Sequence, residues 1–458
     1  MLTRIPSDYF GFIQKKRRHG FGYTTNRFFV IKSKYLLCYD KKRSEEYELL
    51  ESYNQLKQIA DDEPLENVKR LINLGESSIT NSVEGKYYYI TIKPSKGYTL
   101  KLRFIKENDY FSWLGILKSA LQTVSIQDFQ ILKEIGSGAF GKVELARHIK
   151  SGKLYAIKTV TVTGTGRELL NQFIDERTIM QYLNKSDFIV HMECCFRSGN
   201  KLFYVLEYGN GGDLYGQLKK CGRFPESKVK YIAVELILAI GHMHHMNVLH
   251  RDIKPENILI DATGHIKLAD FGLSKVISSF KGRAYSFCGT DLYRPPEMFT
   301  GTIGYTRSID WWQCGCVIYE LLTGAPPFKG HRDSRRYRII NCDPVYPSYL
   351  SSQAVSLLKG MLTKVSYSRL GASQDDYLEI LAQPFFEGID IEKVKRRDFS
   401  LFDIPDEPIP PSLSRQISVH TNTYSEELEN ALSGFDYIDS SFLPYANPSV
   451  LMFNTVRY

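Results

Sequence analysis

Two short charged segments determine how the rest of this sequence can be interpreted. The first is His250-Arg251-Asp252-Ile253-Lys254-Pro255-Glu256-Asn257, and Asp270-Phe271-Gly272 follows it 13 residues later. Each charged position has a role in moving a phosphoryl group. That reaction needs positioned groups and neutralised charge on the phosphates more than it needs covalent chemistry from the protein. The spacing of the two segments therefore predicts a site for phosphoryl transfer.

A glycine-rich segment and a lysine lie upstream. Gly136-Ser137-Gly138-Ala139-Phe140-Gly141-Lys142-Val143 precedes Tyr155-Ala156-Ile157-Lys158, whose lysine comes 22 residues after Gly136. A lone GxGxxG is weak evidence, because the same pattern occurs in ordinary turns. The order and the spacing of all four segments match the signature set of protein kinases, so the chain resembles that family.

The resemblance implies transfer of the γ-phosphate of ATP with Mg²⁺. Glycines let a hairpin backbone lie close over the phosphates, where side chains would collide. Lys158 would pair with the α- and β-phosphates and be held by Glu176, in a predicted helix over 172–183. The backbone of Glu207-Tyr208-Gly209 would bond the adenine. The predicted nucleotide-binding residues are Ile135, Gly136, Ser137, Gly138, Ala139, Phe140, Gly141, Lys142, Val143, Ala156, Lys158, Glu207, Gly209 and Leu259.

The resemblance also assigns catalytic and metal-binding groups. Asp252 would accept or orient the proton of the substrate hydroxyl, and Lys254 would stabilise the γ-phosphate. Asp270 would bind one Mg²⁺ and Asn257 a second ion. Lys254 and Thr290 match serine/threonine kinases rather than tyrosine kinases. The predicted catalytic residues are Lys158, Glu176, Asp252, Lys254, Asn257 and Asp270.

The pattern along the chain predicts an α+β fold with several parts. Residues 129–386 carry the motifs and would form a bilobal kinase domain, with a β-rich small lobe and a helical large lobe. Residues 123–128 form a short linker that spans about 20 Å at most. Residues 387–458 would be a C-terminal tail, with prolines that exclude helix near 405–411 and a hydrophobic motif at 432–437.

Residues 1–122 show the alternation of β-strands at 9–13, 27–31, 35–39, 71–74, 87–92 and 98–104. A helix over about 107–121 would bury Phe111, Leu114, Ile116 and Leu117, on a side that also holds Trp113. Strands closed by one terminal helix with a tryptophan resemble a pleckstrin-homology domain, a β-barrel capped by its C-terminal helix. Residues 44–60 have a helical pattern and would be an insertion in a loop of that fold.

Most of the net charge of +8 lies in this first part. Residues 1–122 hold 21 Lys/Arg against 14 Asp/Glu, a balance of +7, which suggests an anionic partner. A membrane surface, a nucleic acid and a merely soluble basic face all fit the charge. Because no nucleic-acid-binding module is recognised, no nucleic acid is expected as a partner.

Composition indicates a globular protein of the cell interior. The longest apolar run, Tyr231 to Ile240, contains Glu235 and is too short to span a bilayer. The N-terminus has no apolar signal region. The eight cysteines show no paired CxxC spacing. We therefore expect a reducing, cytoplasmic location, and the resemblance to a pleckstrin-homology domain implies reversible recruitment to membrane.

Four further segments resemble the AGC group of kinases: Phe287-Cys288-Gly289-Thr290, Asp310-Trp311-Trp312, Pro384-Phe385-Phe386 and the motif around Phe435. With a pleckstrin-homology domain ahead of them, the order of parts resembles the protein kinase B (Akt) family. The resemblance implies protein substrates with basic residues before the accepting Ser or Thr. The predicted substrate-binding residues are Asp213, Glu256, Thr290 and Glu320; the three acids would receive arginines through charge-assisted bonds.

Two positions bear on regulation. Ser286 occupies the phosphoacceptor position of the activation loop, where Arg251 and Lys275 would grip its phosphate. Lys281 and Arg283 precede it, so either an upstream kinase or the chain itself would phosphorylate it. In the tail, Asp436 stands where a phosphorylated Ser or Thr is usual. Its permanent charge predicts that Leu432, Phe435 and Tyr437 dock on the small lobe without a second kinase.

The residues predicted to bind lipid are Lys15, Arg17 and Arg27. Thr25 stands two residues before Arg27, where the phosphoinositide signature has a basic residue. Specific phosphoinositide binding, non-specific attraction to anionic lipid, and a protein-binding or autoinhibitory role all remain open. A catalytically silent scaffold is the alternative to an enzyme, and the intact catalytic residues argue against it.

Two contacts are expected within the helical lobe. Cys288 to Glu297 resembles the segment that closes a kinase activation loop, and Glu297 would pair with Arg369. Asp310-Trp311-Trp312 would anchor the central helix.

Overall fold

The computed structural model describes residues 9–16, 23–32, 35–39, 44, 47, 68–74, 77–94, 98–119, 124–138, 141–162, 167–184, 186–279, 282–300, 304–404 and 435–438. The chain divides into two units. The first comprises Met1–Thr178, Met192–Leu206 and Pro410–Tyr458, and the second comprises Ile179–His191 and Glu207–Ile409. Of the helices within the described ranges, none has the length and apolar character needed to cross a bilayer.

The N-terminal part of the first unit is a curled antiparallel sheet of seven strands in the order β4-β3-β2-β1-β7-β6-β5. The strands are β1 Tyr9–Lys16, β2 Tyr23–Lys32, β3 Tyr35–Tyr39, β4 Val68–Asn73, β5 Ser77–Glu84, β6 Tyr87–Pro94 and β7 Leu100–Phe104. In β7 the apolar residues Leu100, Leu102 and Phe104 are buried, whereas Lys101 and Arg103 are only half-buried. This alternation gives the sheet a core face, as expected for a half-buried strand.

Helix α1 Glu107–Ser119 covers that core face. Its buried residues are Tyr110, Trp113, Leu114 and Leu117, which follow the i, i+3, i+4, i+7 spacing of one helix face. The Trp113 ring meets the edge of Tyr9 with centroids 4.9 Å apart. The prediction that Phe111 is buried was wrong: Phe111 is 45% exposed, because the turn of the helix directs Tyr110 inward in its place.

Strand β5 was not predicted from the sequence. Its eight residues include only Ile79 and Val83 as apolar side chains, and within the described part of the chain it lies at the edge of the sheet, paired with β6. An exposed edge strand has little need of apolar alternation, so the pattern carries no signal. The predicted helix over 44–60 lies outside the described residues except for Ser44 and Tyr47, both helical and buried.

A second sheet in the first unit has the strand order β17-β11-β12-β10-β9-β8. Its strands are β8 Phe129–Gly138, β9 Gly141–His148, β10 Leu154–Thr161, β11 Met192–Ser198, β12 Lys201–Glu207 and β17 Tyr437–Ile438. Phe129, Phe196 and Phe203 lie in its core, with centroids 6.4 Å apart in the first pair and 5.0 Å in the second. Helix α2 Arg167–Leu183 follows β10 and contains the predicted helical segment 172–183.

The second unit is mainly helical. Its elements are α3 Leu214–Cys221, α4 Glu226–His245, β13 Val248–Leu249, β14 Ile258–Ile260, β15 Ile266–Leu268, β16 Lys275–Val276, α5 Pro296–Thr300, α6 Ser308–Thr323, α7 Arg332–Asn341, α8 Ser352–Met361, α9 Tyr377–Leu381 and α10 Ile391–Lys395. Helix α6 is buried on every side from Ser308 to Leu322, which makes it the central helix of this unit. The β13–β16 and β14–β15 pairs flank the loop that bears the charged residues.

Candidate active site

The loop between β13 and β14 is fixed by the buried carboxylate of Asp310. The backbone N–H groups of His250 and Arg251 donate to its two oxygens at 3.0 and 2.9 Å. The side-chain amide of Gln313 donates to the Arg251 carbonyl at 3.0 Å. Arg251 has φ 72°, a left-handed conformation that costs energy for a residue with a side chain. The central helix thus holds this loop in a backbone conformation that the loop would not prefer.

Within this loop, Asp252 is surrounded by hydrogen-bond donors. Lys254 Nζ donates to Oδ2 at 2.8 Å, and the Thr290 N–H and hydroxyl both donate to Oδ1 at 2.7 Å. Burial alone would raise the pKa of Asp252, but the bonds from Lys254 and Thr290 outweigh burial and hold it below its usual value. Asp252 is therefore an ionised acceptor at neutral pH, suited to taking the hydrogen of a hydroxyl group.

Asn257 and Asp270 offer a pair of oxygen ligands. The Asn257 side-chain nitrogen donates to the Asp252 carbonyl at 2.9 Å, which leaves the amide oxygen as the group able to bind a cation. Asp270 is exposed and follows β15 with φ 63°, again in the left-handed region. A carboxylate and an amide oxygen are donors of the kind that Mg²⁺ prefers. The oxygen donors of Asn257 and Asp270 therefore fit a magnesium ion, as predicted ligands of that ion should.

In the first unit, Lys158 on β10 pairs with Glu176 on α2. The Lys158 Nζ lies 2.7 Å from Glu176 Oε1, and both side chains are largely buried. The pair holds the ammonium group of a flexible lysine in one place, as phosphate binding requires. The Tyr204 hydroxyl, on β12, donates to the carbonyl of Phe173 on the same helix at 3.3 Å. Helix α2 is thus bonded to the sheet at two positions, through Glu176 and through the Phe173 carbonyl.

Strands β8 and β9 form the glycine-rich hairpin. Gly136 pairs with Val143, Ser137 with Lys142, and Gly138 with Gly141. A Cβ at position 141 would clash with the backbone carbonyl of Thr159 on β10, so only glycine fits there. The predicted residues Ala139 and Phe140, at the tip, lie outside the described residues. Ile135 is exposed and Ala156, on β10, is buried.

The segment predicted to bond adenine belongs to the second unit. Glu207 accepts the His191 N–H at 2.7 Å and pairs with Lys267 at 2.8 Å, and its own N–H donates to the His191 carbonyl at 2.9 Å, so its side chain and its N–H are both engaged within this unit. A Cβ on Gly209 would lie 2.8 Å from the carbonyl of Ile260, so this segment packs closely on β14. Leu259, on β14, forms a β-bridge with Asp213.

A family model described as "Protein kinase domain" matches residues 129–386, more than half of the chain. This range contains the loop of Asp252, the Lys158–Glu176 pair and the glycine-rich hairpin. The chain belongs to the protein kinase family.

Curated relatives show which class of protein kinase this domain belongs to. "Protein kinase 2" of Dictyostelium discoideum is 36% identical over 337 residues, 70% of this chain and 69% of the relative. "Serine/threonine-protein kinase akt-2" of Caenorhabditis elegans is 38% identical over 279 residues, 60% of this chain and 52% of the relative. "Serine/threonine-protein kinase gad8" of Schizosaccharomyces pombe is 36% identical over 311 residues, 68% of this chain and 52% of the relative. The chain thus spans about half of the last two, and its kinase domain is a serine/threonine kinase domain of the AGC family.

Two of the three acids predicted to bind substrate lie near each other in this kinase. Glu320, on α6, accepts the Tyr293 hydroxyl at 2.6 Å. Burial raises the pKa of Glu320. The hydrogen bond from Tyr293 lowers this pKa and the neighbouring carboxylate of Glu256 raises it, and the net result is a raised pKa. Asp213 instead caps α3 and accepts the Gly216 N–H at 2.6 Å. The like charges of Glu256 and Glu320 favour a cation between these two carboxylates.

Ser286 already faces Arg251. The guanidinium donates to the Ser286 hydroxyl at 3.3 Å and to the Leu273 carbonyl at 2.6 Å. Tyr305, which was not predicted to belong to the site, accepts a hydrogen bond from Arg251 at 3.0 Å and donates one to the Ser286 carbonyl at 2.8 Å. Lys275, predicted to share the phosphate, is exposed on β16.

The closing segment of the activation loop is anchored as predicted. Arg369 donates to both carboxylate oxygens of Glu297 at 2.7 and 2.9 Å, and the guanidinium is fully buried. It also donates to the Ser308 carbonyl, at the start of α6. This bidentate pair fixes α5 to the central helix.

Residues 435–438 lie on the second sheet of the first unit. Phe435 is fully buried, with its ring at the edge of Tyr204, 5.3 Å between centroids. The Asp436 carboxylate accepts the Arg197 N–H at 3.0 Å, and the Arg177 guanidinium donates to the Asp436 carbonyl at 3.4 Å. Strand β17 pairs with β11 through 437–438. Leu432, assigned to the same motif, lies outside the described residues.

Basic residues on three strands of the first sheet, β1, β2 and β4, lie close together. Burial lowers the pKa of Lys15, on β1, and Arg70, Arg27 and Lys69 act in the same direction against Cys38. Mutual repulsion of this kind makes an anion favourable nearby. Of the three residues predicted to bind lipid, Lys15 and Arg27 belong to this group, and Arg17 lies outside the described residues. Lys69 and Arg70 were not predicted to belong to this group, because β4 is distant from β1 and β2 in the chain.

Proposed function

We propose that the chain transfers the γ-phosphate of ATP to Ser or Thr hydroxyl groups of proteins that carry basic residues before the acceptor. The observation that carries this proposal is the Asp252 carboxylate, kept ionised and oriented by Lys254 and Thr290. A silent scaffold has no need of such an arrangement.

The residues divide the work of the transfer. Asp252 accepts a hydrogen bond from the substrate hydroxyl, in place of the one that Thr290 now donates. It takes the proton as the hydroxyl oxygen bonds to the γ-phosphorus of ATP, while the bond from that phosphorus to the β,γ-bridging oxygen breaks and ADP leaves. Lys254 stabilises the γ-phosphate oxygens, and Lys158, held by Glu176, stabilises the α- and β-phosphates. Bound Mg²⁺ would neutralise phosphate charge, with Asn257 and Asp270 as its protein ligands.

Substrate preference follows from the acids near the site. Glu256 is exposed, and it lies near the buried Glu320. A guanidinium between them relieves their repulsion and gains charge-assisted bonds. Asp213 would receive a second basic residue with the carboxylate oxygen that does not cap α3. Proteins with arginines before the acceptor are therefore the proposed substrates.

Activation is proposed to depend on Ser286. A phosphate there would replace one weak hydrogen bond from Arg251 with charge-assisted bonds and order the loop. The basic residues Lys281 and Arg283 before it suit an upstream basophilic kinase or autophosphorylation. Docking of 435–438 would need no second phosphorylation, because Asp436 carries the charge that holds the Arg197 N–H.

The first sheet is proposed to act as a pleckstrin-homology domain that recruits a cytoplasmic enzyme reversibly to membrane. Lys15, Arg17 and Arg27 would bind a phosphoinositide or an anionic lipid surface, at about 1 kcal/mol for each basic residue near the surface. The crowding of cations around Lys15 supports an anionic ligand.

The test is phosphate transfer from ATP to arginine-rich peptides, with and without vesicles that contain phosphoinositide or phosphatidylserine. Asp252→Asn is the control, because it keeps the shape and removes the charge. We expect transfer that requires Asp252 and increases with one phosphoinositide. Equal stimulation by phosphatidylserine would indicate a general anionic surface. Transfer indifferent to lipid would assign the N-terminal domain to protein binding or autoinhibition. No transfer with Ser286 phosphorylated would favour the scaffold.

A further inference from the structure

Helix α7 and the residues before it form a basic surface that the proposed transfer does not use. Five cationic residues, Lys329, Arg332, Arg335, Arg336 and Arg338, stand against one acid, Asp333. All six are exposed except Arg335, which is half-buried, and Arg332 is 81% exposed in its side chain. Helix α7 and the residues just before it thus present four net positive charges.

Backbone carbonyls hold three of these guanidinium groups in place. Arg335 donates to the Gly330 carbonyl at 2.8 Å, Arg336 to that of Phe299 at 3.3 Å, and Arg338 to that of Lys329 at 2.9 Å. A guanidinium has five N–H donors, so one bond to a neutral carbonyl leaves donors available and the charge uncancelled. The groups are therefore already oriented, which reduces the entropy lost on binding an anion.

Carboxylates of the chain itself do little to neutralise this surface. Among residues in the described ranges, only Arg332 of the five forms an ion pair within 4 Å, at 3.7 Å from Asp291. Asp291 is already closely paired with Arg294. A separation of 3.7 Å at an exposed site contributes little energy. The charge of the helix remains available to a partner.

The helix lies next to the segment that carries the acceptor-binding residues. Asp291, near Arg332, follows Thr290, whose hydroxyl is bonded to Asp252. Arg336 packs over the ring of Phe299 with 5.5 Å to the centroid, and it lies one turn from Arg332 on the same flank of α7. A protein chain held at Asp252 therefore has this flank within reach of its continuation.

We propose that the flank of α7 formed by Arg332 and Arg336 binds an Asp- or Glu-rich segment of the protein substrate. This inference rests on the proposed function and deepens it. Substrates would carry two charge signals: arginines before the acceptor for Glu256 and Glu320, and an acidic run elsewhere in the same chain for α7. Because the substrate is already bound near Asp252, the second contact forms at high effective concentration, so weak exposed ion pairs suffice.

The test uses two peptides with the same arginine-containing acceptor sequence, one extended by a run of glutamates and one by glutamines. We expect kcat/KM to be about three- to tenfold higher for the glutamate peptide in the wild-type kinase, an advantage that shrinks at high salt. The double variant Arg332→Gln, Arg336→Gln should lose this ratio. Because Arg336 also packs on Phe299, Arg332→Gln alone is the second variant and should halve the advantage or more.

Lys393→Gln, Lys395→Gln is the matched control, because it removes two exposed positive charges from α10 of the same unit. It should keep the ratio of the wild type. Binding of the two peptides, labelled with a fluorophore, to the Asp252→Asn kinase gives a readout that needs no turnover. Failure of every peptide to be phosphorylated would overturn the proposed function, and the binding ratio would still decide this inference.

Three results would overturn the inference. The first is equal kcat/KM and equal binding for both extensions. The second is a glutamate advantage that survives in both arginine variants. The third is a loss of the advantage in the α10 control as well, which would show a general effect of net charge.

Discussion

Replacing Phe435 with alanine should release residues 435–438 from the second sheet. Burying a phenylalanine side chain contributes about 1.5–3 kcal/mol, and an edge-to-face aromatic pair contributes about 0.5–1.5 kcal/mol more. Phe435 is fully buried and forms such a pair with Tyr204. The substitution therefore costs the docked state about 2–4 kcal/mol, or roughly 30- to 1,000-fold in its docking equilibrium.

Hydrogen exchange at the Arg197 amide measures this equilibrium directly, because its N–H donates to the Asp436 carboxylate. We expect the Phe435→Ala variant to exchange this amide faster by a factor in that range. Transfer to peptide should also fall, because Tyr204 links Phe435 to Phe173 on α2, the helix that carries Glu176.

Two variants separate the contributions. Phe435→Leu keeps most of the buried volume and should show a smaller effect. Asp436→Asn keeps an acceptor and removes the charge, so exchange at Arg197 should rise about fivefold and become insensitive to salt. Exchange at Arg197 that is the same in Phe435→Ala and the wild type would refute the reasoning, because docking would then not depend on the buried ring.

Three further predictions concern the second unit. Ser286→Ala should lower kcat/KM relative to the phosphorylated wild type by about tenfold or more, because the variant cannot carry the phosphate that Arg251 would bind; unchanged turnover would remove Ser286 from the activation scheme. Arg369→Ala should lower the free energy of unfolding by about 3–5 kcal/mol, since Glu297 is left without its pair; a denaturation midpoint equal to that of the wild type would contradict this. Burial lowers the pKa of His244, but bonds with Asp310 and Asp376 outweigh it and raise the pKa above the ordinary 6.5. The stabilisation is therefore complete below pH 6.5 and is lost as the pH rises through the folded-state pKa. His244→Gln should reduce the loss of unfolding free energy as the pH rises above 6.5, measured by urea denaturation at several pH values. A pH dependence equal to that of the wild type would show that another group titrates in this range.

The catalytic half of the molecule could be predicted from sequence because its chemistry depends on residue types at fixed spacing. Asp252, Lys254 and Thr290 are adjacent in the structure, as are Lys158 and Glu176, although 36 and 18 residues separate the partners in sequence. The Lys158–Glu176 pair followed from the family resemblance rather than from any local pattern, whereas the contacts of Thr290 with Asp252 and Lys254 were not predicted.

The features that could not be predicted from the sequence involve backbone groups, an exposed sheet edge and the phase of a helix. Asp310 holds the loop through two N–H groups, which every residue possesses, so no residue type marks the contact. Strand β5 is an exposed edge without apolar alternation. Tyr110 is buried instead of Phe111 because of the rotational phase of the helix. An error of one residue in the predicted phase is enough to exchange the two positions.

The pairing of β17 with β11 also has a consequence for handling the protein. Without β17, strand β11 would be the outermost strand of its sheet, with unpaired backbone groups and the thiols of Cys194 and Cys195 beneath them. Open strand edges template association with other chains. A chain shortened before residue 435 should therefore aggregate and oxidise more readily than the full chain, even where its catalytic groups are intact. Residues 435–438 thus protect solubility as well as holding α2.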